Sequence, residues 1–181
     1  MKKVAVFGNT GGGKSTLSKR LSQITGLPLH ALDKMQYQPG GKSVPQEDYK
    51  HIHEKILATD EWIIDGFGCI ETFWLRLNEA DTLVFLDLPL YVHFFWVTKR
   101  LITGSFKPPE GWPQKSPILR SSLSSYRVLW LCHKYLTPKS REYIEQAQSS
   151  KSVYHIRSIK HISQFIKLME NETNFKDGGS A

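Results

Sequence analysis

The chain has 181 residues, of which 40% are hydrophobic and 23% are charged, and its net charge is +7. This length and composition are typical of one soluble globular domain, and the two cysteines show no spacing that would indicate a metal site or a disulfide framework. The apolar stretches are too short to cross a bilayer, and Met1 leads directly into a predicted strand. We therefore expect a cytoplasmic protein with no signal peptide and no membrane partner.

Residues 4–7 predict a first buried strand, and a helix is predicted from Lys14 to about Gln23. Between them the sequence fits the phosphate-loop pattern G-x-x-x-x-G-K-[ST] at every fixed position. The alternative is a glycine-rich turn that only connects a strand to a helix. The residues expected to bind a nucleotide are Gly8, Asn9, Thr10, Gly11, Gly12, Gly13, Lys14, Ser15 and Thr16.

The chemistry of this loop follows from its residue types. Glycines let the backbone wrap a triphosphate with its N–H groups towards the oxygens, and the positive end of the helix dipole adds to the attraction. Lys14 is expected to reach the β- and γ-phosphates, and Ser15 to coordinate Mg²⁺ through its hydroxyl. ATP and Mg²⁺ are the predicted cofactors, although no base-reading motif distinguishes ATP from GTP.

Strand and helix patterns alternate along the rest of the chain. The further predicted strands are 29–32, 62–64, 82–86 and 153–156, and the further predicted helices follow Pro45 and cover 90–102, 118–133, 138–148 and 161–170. This alternation predicts an α/β fold of the P-loop NTPase type, with a doubly wound, five-stranded parallel sheet and helices on both faces. We expect one domain over residues 1–170 and a disordered tail over 171–181.

The segment 103–117 is rich in proline and glycine, which excludes a helix or a central strand. Long loops of this kind are often active-site lids, and the alternative is an ordinary surface connection. We predict a helical and loop lid over about 103–127. Trp112 lies within it, where it would either stack on a base or pack the lid down.

Three aspartates follow predicted strands, at the edge where parallel sheets bind ligands. Asp65 is expected to hold Mg²⁺ together with Ser15, and Asp87 is the second candidate for that role. Asp33 is expected to accept a hydrogen bond from an acceptor hydroxyl and to orient it for attack. For each aspartate the alternative is a turn or helix-cap residue.

Phosphoryl transfer also needs cations around the migrating group. Arg100 precedes the predicted lid, and Arg120 and Arg127 follow its loop, so we expect Arg100 with Arg120 or Arg127 to neutralise the transferred phosphoryl group. Basic residues far outnumber acids between 99 and 160, which either attracts anions or forms a solvated basic surface.

Residues 8–17 resemble the first loop of adenylate-kinase-like P-loop kinases. More narrowly, residues 1–100 resemble the bacterial DNA topology modulation proteins, which are related to adenylate kinase. The segments that carry this resemblance are 30–34, 39–40, 62–66, 75–77, 80–82 and 85–89. It implies a nucleoside-phosphate-kinase-like fold with a phosphate loop, a helical insert on the acceptor side and a mobile lid.

Particular residues match this pattern or depart from it. Asp65-Gly66-Phe67 matches the start of the adenylate kinase motif Asp-Gly-Phe-Pro-Arg, whose Asp lies by Mg²⁺, and Arg100 matches a phosphate-binding arginine before the lid. Gly68-Cys69 replaces the Pro-Arg pair, whose arginine grips the phosphate of the acceptor nucleotide, and Arg76 is the candidate substitute. The lid lacks a four-cysteine zinc pattern, so no structural zinc is expected.

The sequence therefore predicts an ATP-dependent phosphotransferase, similar to nucleoside and nucleotide kinases, that moves the γ-phosphoryl group to a small-molecule acceptor. The alternatives are a nucleotide-binding, DNA-associated regulatory protein with weak or no kinase activity, and a simple NTPase. No DNA- or RNA-binding motif is present, and only the basic second half fits a DNA partner. The identity of the acceptor and the oligomeric state stay open.

Overall fold

The computed structural model describes residues 1–36, 43–104 and 118–177, and the side chains of 104, 118–124 and 176–177 lie outside that description. All five strands found there are parallel, in the order β2-β3-β1-β4-β5. Their bounds are β1 Lys3–Gly8, β2 Leu29–Ala31, β3 Trp62–Asp65, β4 Thr82–Leu86 and β5 Ser152–Ile156. The predicted α/β fold with a five-stranded parallel sheet is confirmed.

Helices connect these strands. They are α1 Lys14–Thr25, α2 Leu32–Gln36, α3 Gln46–Leu57, α4 Ile70–Glu79, α5 Leu90–Gly104, α6 Ile118–Leu131, α7 Thr137–Ala147 and α8 Ile159–Asp177. A π-helical turn, Cys132–Leu136, joins α6 to α7 without a break. The chain from 118 to 147 is therefore one helical rod.

Side chains alternate between the two faces of the sheet, and each face has its own core. Phe7 and Phe85 stack with ring centroids 4.9 Å apart on one face, where α3, α4 and α7 cover them. Val6 and Val84 belong to the opposite face, which α1 and α8 cover. Strands buried on both faces read as continuous apolar runs, which is why the pattern predicted them well.

Several predicted boundaries differ from those observed. Leu32 begins α2 rather than ending β2, and α2 and α4 are absent from the predicted elements. The predicted disorder from residue 171 is wrong for 171–177, which continue α8. Burial of Phe165 and Met169 anchors that helix, and the chain has neither proline nor glycine before Gly178, so the helix continues to Asp177 although several of its last residues are weak helix formers.

The predicted lid lies only partly within the description. Residues 103–104 end α5 and 118–127 belong to α6, whereas 105–117, with Trp112, lie outside the described residues. Among the described helices, none is long and apolar enough to cross a membrane.

Candidate functional site

The phosphate loop lies at the carboxyl end of the central strand β1. Asp65 ends the neighbouring strand β3 at the same edge of the sheet, and Asp33 follows β2 there. Asp65 is paired in register with Val6 of β1 and with Ala31 of β2. Gly8 ends β1 against Leu86 of β4, so close that a Cβ on Gly8 would collide with the Leu86 carbonyl oxygen. The loop therefore emerges between β3 and β4, as the ligand-binding edge of a parallel sheet requires.

The three consecutive glycines of the loop are packed against one face of α5. A Cβ on Gly11 would lie 2.6 Å from Cγ2 of Val97, one on Gly12 2.9 Å from Cε1 of His93, and one on Gly13 2.9 Å from Cζ3 of Trp96. Gly11 and Gly13 also have positive φ angles, of 66° and 79°. Any side chain at these positions would push the loop away from α5.

Polar contacts close the loop on itself and on α6. Lys14 Nζ donates to the carbonyl oxygen of Asn9 at 2.9 Å. The Asn9 side chain accepts from the Thr10 N–H at 2.8 Å and donates to the Leu129 carbonyl at 3.0 Å. The buried Asn9 amide thus ties the helical rod to the loop.

Asp65 lies beside Ser15 and Lys14. Its side chain is buried, with the residue only 2% exposed. Burial raises the pKa of Asp65, although the Lys14 charge and the nearby Ser15 hydroxyl oppose that shift. Asp65 Oδ1 has no hydrogen-bond partner among the described residues. A buried carboxylate oxygen with a free lone pair, next to a hydroxyl, is a donor set that suits Mg²⁺.

Asp33 lies next to Asp65, in the first turn of α2. A Cβ on Gly66 would lie 3.2 Å from Asp33 Oδ1, so the glycine lets the carboxylate approach the turn after β3. The negative charge of Asp33 raises the pKa of Asp65, and Asp33 itself is exposed. The Asp65 carboxylate is therefore buried beside the phosphate loop, whereas the Asp33 carboxylate is accessible to a molecule that binds there.

The three arginines predicted to surround the transferred group differ in their positions. Arg100 is half-buried at the end of α5, where burial lowers its pKa and the charge of Asp33 opposes that shift. Its Nη2 lies 3.4 Å from Ser125 Oγ of α6. Arg127 is exposed, and it lies two residues from both Ser125 and Leu129, so it lies on the opposite face of α6. The Arg120 side chain lies outside the described residues.

Arg76 is placed differently from the predicted acceptor-binding role. It is 0% exposed, and its guanidinium donates to the carbonyl oxygens of Phe67 at 3.0 Å and of Gly66 at 2.5 Å. It lies over the Phe73 ring, 4.9 Å from the centroid, and burial lowers its pKa to about 10. Arg76 therefore stabilises the turn after Asp65 through two hydrogen bonds to the backbone of that turn.

Asp87, the second candidate for the metal, has both oxygens engaged. Arg141 donates to them at 2.7 and 2.8 Å, and His155 Nε2 lies 2.9 Å from Oδ2. Burial alone would raise the pKa of Asp87, but these partners outweigh it and lower the pKa. This carboxylate joins β4 to α7 and β5, whereas Asp65 keeps a free oxygen.

Sequence reasoning missed two residues that contact or face the loop. His93 is 2% exposed, and its Nδ1 lies 2.9 Å from the Thr10 carbonyl oxygen. Cys132, in the π-helical turn, is close enough to Lys14 for that charge to oppose the burial that raises the pKa of its thiol. The single sequence signal for His93 was a histidine within an apolar helix, and the sequence around Cys132 gave none.

The comparisons with known proteins support the fold. No protein-family model and no curated protein matches the chain. Among solved structures, shikimate kinase from Bacteroides thetaiotaomicron matches with a TM-score of 0.54 at 14% identity, over 94% of this chain and 97% of that one. A sugar kinase from a Janibacter species matches with a TM-score of 0.47 at 15% identity, over 95% of this chain and 91% of that one.

A second shikimate kinase, from Aquifex aeolicus, matches with a TM-score of 0.43 at 17% identity, over 67% of this chain and 91% of that one. The fold of this chain is thus the fold of P-loop kinases, as the first of these matches shows. The narrower resemblance to DNA topology modulation proteins stays a prediction.

Proposed function

We propose that the protein is a P-loop phosphotransferase that moves the γ-phosphoryl group of a nucleoside triphosphate, with ATP as the first candidate, to a hydroxyl of a small molecule. The observation that carries this proposal is the buried carboxylate of Asp65, which lies beside Ser15 and Lys14 at the end of the phosphate loop. One of its oxygens has no hydrogen-bond partner among the described residues. A mere connecting turn has no need for a buried, partly unpaired carboxylate, whose desolvation is costly.

On this proposal the loop, Gly8 to Thr16, binds the triphosphate through its N–H groups, and Lys14 leaves the Asn9 carbonyl to reach the β- and γ-phosphates. Ser15 and Asp65 would hold Mg²⁺. When bound, the ion would neutralise charge on the β- and γ-oxygens. The buried position of Asp65 excludes water from one side of that charge.

Asp33 acts on the acceptor. Its exposed carboxylate, beside the turn after β3, accepts a hydrogen bond from the attacking hydroxyl and orients the oxygen towards the γ-phosphorus. Arg100 is near enough to Asp33 for that charge to oppose the lowering of its pKa by burial, and it supplies a cation near the transferred group. Arg120 stays a candidate for a second cation from the lid side. Arg127 lies on the face of α6 opposite to Ser125 and Leu129, which contact Arg100 and the loop, so it has no part in the proposed transfer.

The test is transfer of labelled γ-phosphate from Mg·ATP to a panel of nucleoside monophosphates, nucleosides, sugars and hydroxy acids. We expect label on one acceptor class with the natural chain and with Lys55→Ala, an exposed lysine of α3. We expect a loss of about a hundredfold or more with Lys14→Ala, because an electrostatic contact to the transferred group is removed.

The other outcomes are equally informative. Label that appears only as free phosphate would replace the kinase assignment with an NTPase. Nucleotide binding without any turnover would favour a regulatory protein, for which salt-sensitive DNA binding is the next measurement.

A further inference from the structure

The loop that binds the phosphates in the proposed function is held from behind by a buried histidine. His93 projects from the first turns of α5, and its Nδ1 lies 2.9 Å from the carbonyl oxygen of Thr10. A carbonyl oxygen only accepts hydrogen bonds, so Nδ1 is the nitrogen that carries the proton. The edge of the ring also sets the position of Gly12, where a Cβ would lie 2.9 Å from Cε1.

This contact fixes the direction of a peptide group. The Thr10–Gly11 peptide is trans, so the Thr10 carbonyl and the Gly11 N–H point in opposite directions. The Thr10 carbonyl points towards α5, the helix against which the loop is packed. The Gly11 N–H is consequently turned away from α5.

Burial and the neighbouring Lys14 charge favour the neutral ring, and its Nδ1–H tautomer is sufficient for the contact with Thr10. Burial lowers the pKa of His93, and the positive charge of Lys14 lowers it further, while hydrogen bonds to the backbone of Thr10 and Leu88 and the charge of Asp87 oppose the shift. A neutral imidazole gives Thr10 its hydrogen bond without placing a second cation beside Lys14. If His93 were replaced, the half-buried Thr10 carbonyl would lose its donor, which costs free energy and leaves the peptide group less restricted.

We propose that His93 is a positioning residue for triphosphate binding, which holds the Thr10 carbonyl so that the Gly11 N–H faces the phosphates. The proposal rests on the proposed function to the extent that the loop binds phosphates. It is independent of the acceptor and of whether transfer occurs. The matched control is His53, a second buried histidine, which belongs to α3 on the other side of the sheet.

The experiment is calorimetric binding of Mg·ATP and of tripolyphosphate to the full chain and to three variants. His93→Phe keeps a ring against Gly12 but has no donor, and we expect it to bind both ligands about tenfold more weakly, the loss typical of one buried hydrogen bond. His93→Asn places an amide N–H where Nδ1 stood, and we expect it to recover most of the affinity. His53→Phe should change thermal stability and leave both affinities as they are.

The outcomes separate the two proposals. If the natural chain fails to bind Mg·ATP, or if Lys14→Ala binds it equally well, the proposed function is wrong. If the natural chain binds and His93→Phe binds within twofold of it, or His93→Asn is no better than His93→Phe, the positioning role is wrong. Should His93→Phe not fold, His93→Leu, which is smaller than the ring, makes the same comparison with His93→Asn.

Discussion

The guanidinium of Arg76 lies directly beneath Gly66, with Nη2 2.5 Å from the glycine carbonyl oxygen. Through this bond a fully buried cation on α4 holds the turn that directly follows Asp65. The sequence offered Arg76 as a substitute for a missing acceptor-binding arginine. Its position instead lets it stabilise the turn that follows Asp65, and the two roles have different consequences when the residue is changed.

Arg76→Met leaves the buried carbonyl of Gly66 and the half-buried carbonyl of Phe67 without their donor. We expect a loss of about 1–3 kcal/mol of unfolding free energy, because two acceptors lose their partner while removal of the buried cation, whose own burial is costly, offsets part of that loss. Chemical denaturation measures the loss, and Arg127→Ala on the exposed face of α6 is the control that should stay within about 0.5 kcal/mol of the natural chain. If Arg76→Met kept the stability of the natural chain and raised the KM for the acceptor, the result would support an acceptor-binding role for Arg76.

Asp65→Asn should stabilise the protein at pH 7 while removing function. The folded state raises the pKa of this carboxyl, so folding favours its protonated form and the ionised form at pH 7 opposes folding. The neutral amide removes that cost, and the melting temperature should rise. The gain should shrink as the pH falls through the pKa of Asp65, where the natural chain is protonated too.

Phosphate transfer by the same variant should fall by about a hundredfold, because the carboxylate that would hold Mg²⁺ is lost. A melting temperature at pH 7 equal to or below that of the natural chain would show that the ionised Asp65 carboxylate does not destabilise the folded state. Transfer at the natural rate would remove Asp65 from the proposed metal site.

His53 should make stability depend on pH. Burial lowers the pKa of its imidazole to about 4, from 6.5 in the unfolded chain, so the unfolded chain binds the proton more readily. The cost is absent well above pH 6.5 and grows as the pH falls towards 4, reaching about 2 kcal/mol between pH 7 and pH 5. Denaturation at both pH values measures it, and His53→Phe should lose that difference. An equal pH dependence in the variant would contradict the assignment.

Gly68→Ala should be more damaging than Gly26→Ala, although both glycines have positive φ angles, of 66° and 73°. A Cβ on Gly26 meets no atom within 4 Å, so only backbone strain of about 1 kcal/mol is expected. A Cβ on Gly68 would collide with the Tyr49 hydroxyl, which adds about 2 kcal/mol of overpacking. Thermal unfolding of the two variants compares them, and equal losses would mean that Tyr49 moves aside freely.

Local pattern predicted the parts of the molecule that depend on local physics. The apolar run before Gly8 and the Lys14-Ser15 ending identify a phosphate loop from adjacent residues alone. The strands before Asp65 and Asp87 are buried on both faces, so their apolar runs are unambiguous. Because the sheet is parallel, the placement of these aspartates at one edge follows from the fold class.

Other parts depend on contacts between distant segments. Sequence alone ranks Asp65 above Asp87 only weakly, and the difference is plain once Arg141, 54 residues away, is seen to occupy Asp87. The bond between His93 and Thr10 spans 83 residues, and no local pattern encodes it. The end of α8 was misplaced because polar residues after 170 were taken for a tail, although tertiary anchoring at Met169 lets the helix continue.

The continuous helical rod from 118 to 147 has a mechanical consequence. Ile144 and Ala147 embed its far end in the core, and Leu129 rests on Asn9 of the phosphate loop. The Asn9 side chain therefore couples the phosphate loop, through one helical segment, to the core that α7 shares with α3 and α4 on the other side of the π-helical turn, Cys132–Leu136.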